Sequence, residues 1–165
     1  MKKKLLLSLC LMAIAVVAFC LWYTRPQTFW QATGMDRDNI TGASGYAIEG
    51  HVTAGQANQQ TWMLNDLTPG QEDYEGLLEL LEQPSYRASL RNLLPLASSY
   101  SSDPKTAQVA FALGDQLVTV NALHAGQVLI SPLGSSRTLV FSVSPRDLNE
   151  TLADFIQQQG AAGNS

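Results

Sequence analysis

The chain begins with a 19-residue run, Leu5 to Tyr23, that contains no charged side chain. A helix of this length spans roughly 28 Å, close to the ~30 Å hydrocarbon core of a bilayer. Three lysines at 2–4 precede the run and Arg25 follows it, and an excess of lysine marks the cytoplasmic side of a span. The run therefore predicts a transmembrane signal-anchor helix over 5–23, with residues 1–4 in the cytoplasm and the remaining chain outside.

Two alternatives to an uncleaved anchor remain open. Signal peptidase needs small residues at the first and third positions before its cut, and a cut after Ala18 would release the rest of the chain as a secreted protein. That site lies inside the apolar run, whereas a typical site follows it. A lipoprotein needs a small residue before its cysteine, but Cys20 follows Phe19 and Cys10 follows Leu9. The residues favour a single-pass protein of the cell membrane.

Charge beyond the apolar run is strongly acidic. After Arg25 the chain has six basic and 14 acidic residues, a net charge of 6 − 14 = −8. Such a surface repels phosphate backbones, so nucleic acid is not an expected partner. Both cysteines lie inside the apolar run, which predicts no disulfide and no thiol chemistry in the outer part.

The outer part divides into three segments by residue pattern. Residues 24–45 show no regular hydrophobic period and are rich in Gly, Thr and Asp, which predicts a juxtamembrane linker. Alternating and helical patterns then continue to residue 159 and predict an extracytoplasmic domain over 46–159. Residues 160–165 are expected to form a disordered tail.

Alternation predicts six strands in this domain. The clearest pair is a hairpin around Gly114 and Asp115, a two-residue turn that sets Leu113 opposite Gln116 and Phe111 opposite Val118. Strands are also predicted over 46–52, 60–65, 127–131 and 137–143. Two of the inward-facing residues on each hairpin strand should form the core face: Val109, Phe111, Val118 and Val120.

Three helices are predicted from capping signals and apolar spacing. The first follows Thr68 and Pro69, with a buried stripe of Tyr74, Leu77, Leu78 and Leu81. The second runs from Ser85 to Pro95, and the third follows Ser144 and Pro145 and ends at Gly160. The element order ββααββββα contains no β-α-β alternation. It predicts an α+β fold: an N-terminal transmembrane helix followed by a small, antiparallel, meander-like sheet with about three helices packed on one face.

No residue set in the sequence points to catalysis, a cofactor or a metal. Ser102 and Lys105 match Ser-x-x-Lys, but Pro104 and a Ser-rich flank place them in a loop rather than at a helix start. His51 and His124 are isolated and lack the spaced partners of a metal site. The chain is therefore not expected to be an enzyme or to need a cofactor.

The candidate interaction face is the polar side of the first predicted helix. Its residues are Glu72, Glu75, Glu79 and Glu82. Arg87 and Arg91 lie four residues apart on the second helix; pairing with these carboxylates is the favoured interpretation, and a small anion or headgroup patch is the alternative. A solvated helix face is the simpler interpretation of the same residues. The sequence predicts a membrane-tethered, non-catalytic binding or accessory domain of the bacterial cell envelope, bound to an envelope protein or peptide. A small envelope hydrolase and a sensor or immunity-type inhibitor are the alternatives.

Overall fold

The computed structural model describes residues 2–53, 56–94 and 105–163, and their side chains within 7–50, 59–94 and 105–162. Four helices are present in this part of the chain: α1 (Lys2–Tyr23), α2 (Phe29–Thr33), α3 (Glu72–Glu82) and α4 (Leu148–Gln159). Nine strands accompany them: β1 (Pro26–Gln27), β2 (Gly42–Thr53), β3 (Gln56–Leu67), β4 (Ser85–Ala88), β5 (Lys105–Leu113), β6 (Gln116–Leu123), β7 (Gln127–Ser131), β8 (Leu139–Ser144) and β9 (Ala161–Gly163).

All nine strands belong to one antiparallel sheet in the order β1-β4-β8-β7-β6-β5-β2-β3-β9. Strands β5 to β8 form the predicted meander, and the β5–β6 turn has the predicted register, with Leu113 opposite Gln116 and Phe111 opposite Val118. The α+β class is confirmed, but a small sheet was expected and this one has nine strands. The difference arises at both flanks, where β4 and β1 extend the sheet beyond β8 and where β9 extends it beyond β3.

The apolar core lies between one face of the sheet and the helices α2, α3 and α4. The four predicted core residues of the hairpin are completely buried. They join the predicted stripe of α3 and the inward residues of α4 in one cluster. Phe155 of the α4 stripe is partly buried against this cluster, and Gly160 ends the helix as predicted. Amphipathic spacing thus identified the two longer helices of the domain correctly.

The segment predicted to be a linker, 24–45, forms β1, α2 and a 3-10 turn in the structure. Thr28 caps α2 through a capping box with Gln31, which supplies hydrogen bonds for the first amides of the helix. Phe29 is fully buried, and its ring lies 5.8 Å from that of Phe111 and 5.9 Å from that of Tyr86. This segment therefore packs into the core, unlike the linker expected there.

The prediction of a helix between Ser85 and Pro95 is wrong. Residues 85–88 are strand β4, which pairs with β8, and Leu90–Leu93 form a 3-10 turn. Tyr86 and Ala88 point into the core while Arg87 between them is exposed, which is the two-residue period of a strand. Leu90 and Leu93, whose spacing from Tyr86 would place them on the buried side of a helix, are exposed at 44% and 46%.

Helix α1 covers the apolar run at the N-terminus. Its apolar side chains are largely exposed, for example 60% at Leu11 and 65% at Ile14. In its last turn, Tyr23 packs against the core cluster. Arg25, just beyond the helix, lies 5.4 Å from the centre of the Trp22 ring, within the range of a cation–π contact.

None of the helices in the described part of the chain combines the length and the apolar character needed to cross a membrane. This finding contradicts the transmembrane signal-anchor predicted over 5–23. It equally contradicts the single-pass location in the cell membrane, with the N-terminus inside, that depended on the anchor.

Candidate functional site

The predicted acidic face lies on α3, and part of it is occupied by contacts within the protein. Arg37, in the 3-10 turn after α2, forms an ion pair with Glu75 and lies 3.9 Å from a carboxylate oxygen of Glu82. The indole of Trp30 donates a hydrogen bond of 3.0 Å to the same Glu82 oxygen. These contacts join the 24–45 segment to α3, so Glu75 and Glu82 have a role in the fold.

Glu72 and Glu79 are the members of this face that remain exposed without an ion pair among the described residues. Each is a surface carboxylate on a helix, and Glu72 lies in the first turn, where a negative charge is favoured by the helix dipole. The simpler interpretation, a solvated face, therefore accounts for both of them.

The two predicted arginine partners do not join the acidic face. Arg87 alternates with the buried Tyr86 on β4 and so lies on the side of the sheet opposite the helices. Arg91 lies in the 3-10 turn that follows β4. Neither forms an ion pair with any described residue. Sequence reasoning missed Arg37 because it was assigned to a linker.

Of the residues considered for catalysis, the side chains of Lys105 and His124 lie in the described part of the chain. Lys105 forms an ion pair of 2.8 Å with Asp154 of α4, which fixes the helix against β5. Ser102 and the side chain of His51 lie outside the described residues. No three His, Cys, Asp or Glu side chains in the described segments are placed to share a metal ion.

His124 lines a shallow pocket of about 400 Å³ beside the first turn of α4, together with Arg146, Asp147 and Glu150. Asn149 also lines this pocket and is buried. Its amide nitrogen donates to the backbone oxygen of Lys105 at 2.9 Å. Because a carbonyl can only accept, this bond fixes the amide orientation, and Asn149 Oδ1 is left buried without a donor from the described residues.

Two tyrosines of the core have perturbed acidities. Burial raises the pKa of Tyr86 far above its usual value, and its hydroxyl donates a 2.7 Å hydrogen bond to the backbone oxygen of Leu81. Burial also raises the pKa of Tyr74, with a smaller contribution in the same direction from the neighbouring Glu75 carboxylate. Both groups stay neutral at ordinary pH because the ionised form is poorly solvated in the core, and both therefore act as core residues.

The largest feature that the sequence analysis did not identify is the second face of the sheet, on the side away from α2, α3 and α4. We call this surface the helix-free face. It is defined by the residues that alternate with the core positions on five central strands: Ser44, Tyr46 and Ile48 on β2; Thr106, Gln108, Ala110 and Ala112 on β5; Leu117, Thr119, Asn121 and Leu123 on β6; Gln127, Leu129 and Ser131 on β7; and Val140 and Ser142 on β8.

Every residue of this definition is uncharged. Tyr46 and Gln108 sit opposite each other, and the Tyr46 hydroxyl donates a 2.8 Å hydrogen bond to the Gln108 side chain. Met63 of β3 continues the face beside Tyr46 and is 47% exposed, while Leu117 at the start of β6 is 66% exposed. Of the other members of the face, Leu123 and Leu129 are buried, Gln127 and Ser142 are exposed, and the rest are half-buried among neighbouring side chains.

A signal for this face is present in the sequence. Apart from Lys105 at its start, the strand at 105–113 has uncharged residues on both alternating sets, as do the strands at 116–123 and 127–131. An antiparallel strand with one solvated face usually has polar residues outward, and often charged ones. The lack of charged residues among the outward-facing positions of these strands could therefore have revealed the face from the sequence.

Comparison with known proteins identifies no relative. No protein-family model, no curated protein and no solved structure matches the chain.

Proposed function

We propose that this protein is a non-catalytic binding domain that contacts another protein through the helix-free face of its sheet. The partner presents an uncharged, largely apolar surface at the contact. The observation that carries the proposal is the absence of charged side chains on the helix-free face of five neighbouring strands, in a chain whose residues after Arg25 carry a net charge of −8. The flanking strand β4 places Arg87 at the edge of this face, opposite Ser142.

The charge pattern selects the chemistry of the partner. A charged side chain docked on the central strands of this face, away from Arg87 at the β4 edge, would lose water without gaining a counter-ion, which costs several kcal/mol. An uncharged surface incurs no such cost, and covering Leu117 and Met63 would remove exposed apolar area from water. Fully burying a side chain of this size contributes about 1.5–3 kcal/mol. The acidic surface elsewhere repels other acidic proteins and directs association towards this face.

The acidic face of α3 is the weaker candidate for the contact. Two of its four carboxylates already interact with Arg37 and Trp30. The two arginines expected beside it lie elsewhere in the fold. The charged face of an amphipathic surface helix is stable in contact with water and does not require a ligand.

Site-specific photocrosslinking of the full-length protein in the cells that produce it tests the proposal. A benzophenone side chain is placed at Leu117 or Met63 on the helix-free face, at Glu79 on the acidic face, or at Gln158, an exposed position on α4. The proposal expects protein adducts from Leu117 and Met63 and none from Gln158. Adding Thr119→Glu to the Leu117 probe should abolish the adduct, because it places a charge at the centre of the face.

The controls separate the alternatives. Adducts from Glu79 alone would assign the contact to the acidic helix and would overturn the proposed surface. Equal labelling at all four positions, or at none, would mean that neither surface is a binding site. An adduct that survives Thr119→Glu, with circular dichroism unchanged, would contradict the charge argument.

A further inference from the structure

We draw no further inference here: the strongest candidate, the shallow pocket between the 124–126 turn and the first turn of α4, rests on a helix N-terminus flanked by the carboxylates of Asp147 and Glu150, and the unpartnered oxygen of Asn149 is buried rather than shown to face the pocket.

Discussion

Replacement of Phe29 by alanine tests whether residues 24–45 belong to the domain. Its side chain is fully buried, and its ring lies within 6 Å of the rings of Trp30, Tyr86 and Phe111. Removal of a buried phenylalanine side chain typically costs 3–5 kcal/mol. That range already contains the lost aromatic contacts, so a loss of about 4 kcal/mol is expected for Phe29→Ala.

The loss converts into a measurable shift of the unfolding temperature. The domain from 24 to 163 has 140 residues. An unfolding entropy of about 2.1 cal/mol/K per residue then gives ~0.3 kcal/mol/K, so 4 kcal/mol corresponds to a decrease in Tm of roughly 13 °C. Thermal unfolding of the full-length variant, followed by circular dichroism in the β-sheet region, measures it.

Phe19→Ala is the matched control. Phe19 lies in α1, is 47% exposed, and contacts only the rings of Trp22 and Tyr23 among the aromatic residues described. Its removal should lower the free energy of unfolding of the domain by less than about 1 kcal/mol. If Phe29→Ala lowers Tm no more than Phe19→Ala does, the segment is not part of the core and the packing described for α2 is wrong.

Three further predictions concern the same domain. Because burial raises the pKa of Tyr86, the native state keeps the phenolic proton above pH 10, whereas the unfolded state releases it. The free energy of unfolding should therefore be unchanged below pH 10 and fall above it, by up to ~1.4 kcal/mol per pH unit. Urea titrations at stepped pH measure this dependence. A flat profile would contradict burial of the hydroxyl. Arg37→Ala should lower the free energy of unfolding by less than about 1 kcal/mol, and by still less in high salt, because its ion pair with Glu75 is half-exposed. A loss of several kcal/mol would show that the contacts of Arg37 are not surface contacts. Gly160→Ala places a Cβ 2.5 Å and 2.7 Å from two backbone oxygens and should lower the free energy of unfolding by about 1–3 kcal/mol. Gly76→Ala meets only the movable ring of Phe155 at 3.2 Å and should change it by less than about 1 kcal/mol. Equal effects of the two variants would refute the tight turn after α4.

The parts of the fold that the sequence predicted are those where local spacing and burial agree. In α3, Tyr74, Leu77, Leu78 and Leu81 repeat at helical spacing and all four are buried. The two-residue turn at 114–115 determined the register of β5 and β6. Both signals lie within one element or one hairpin, so pairing with distant residues is not needed to recognise them.

The parts that were missed depend on contacts between distant residues. Four residues at 85–88 are too few to show a period, and their strand is formed by pairing with β8 more than 50 residues later. Phe29 looked like part of a linker because its neighbours are polar, although it enters a core built from β4 and β5. The helix-free face can be recognised as one surface only when the order of the strands in the sheet is known.

The strand order also has a consequence for the time course of folding. The hairpin of β2 and β3 can close as soon as residue 67 is made, but the other edge of β2 pairs with β5, from Gly42 with Ala112 to Glu49 with Lys105. That edge stays open while about 45 further residues are synthesised, and the outer edge of β3 pairs with β9 only when residues 161–163 have been made. Exposed strand edges are where nascent chains pair with the wrong neighbour. The native β2–β5 pairing therefore competes with aggregation during that interval, and chaperone supply and growth temperature should affect the yield of this protein more than that of a helical protein of equal length.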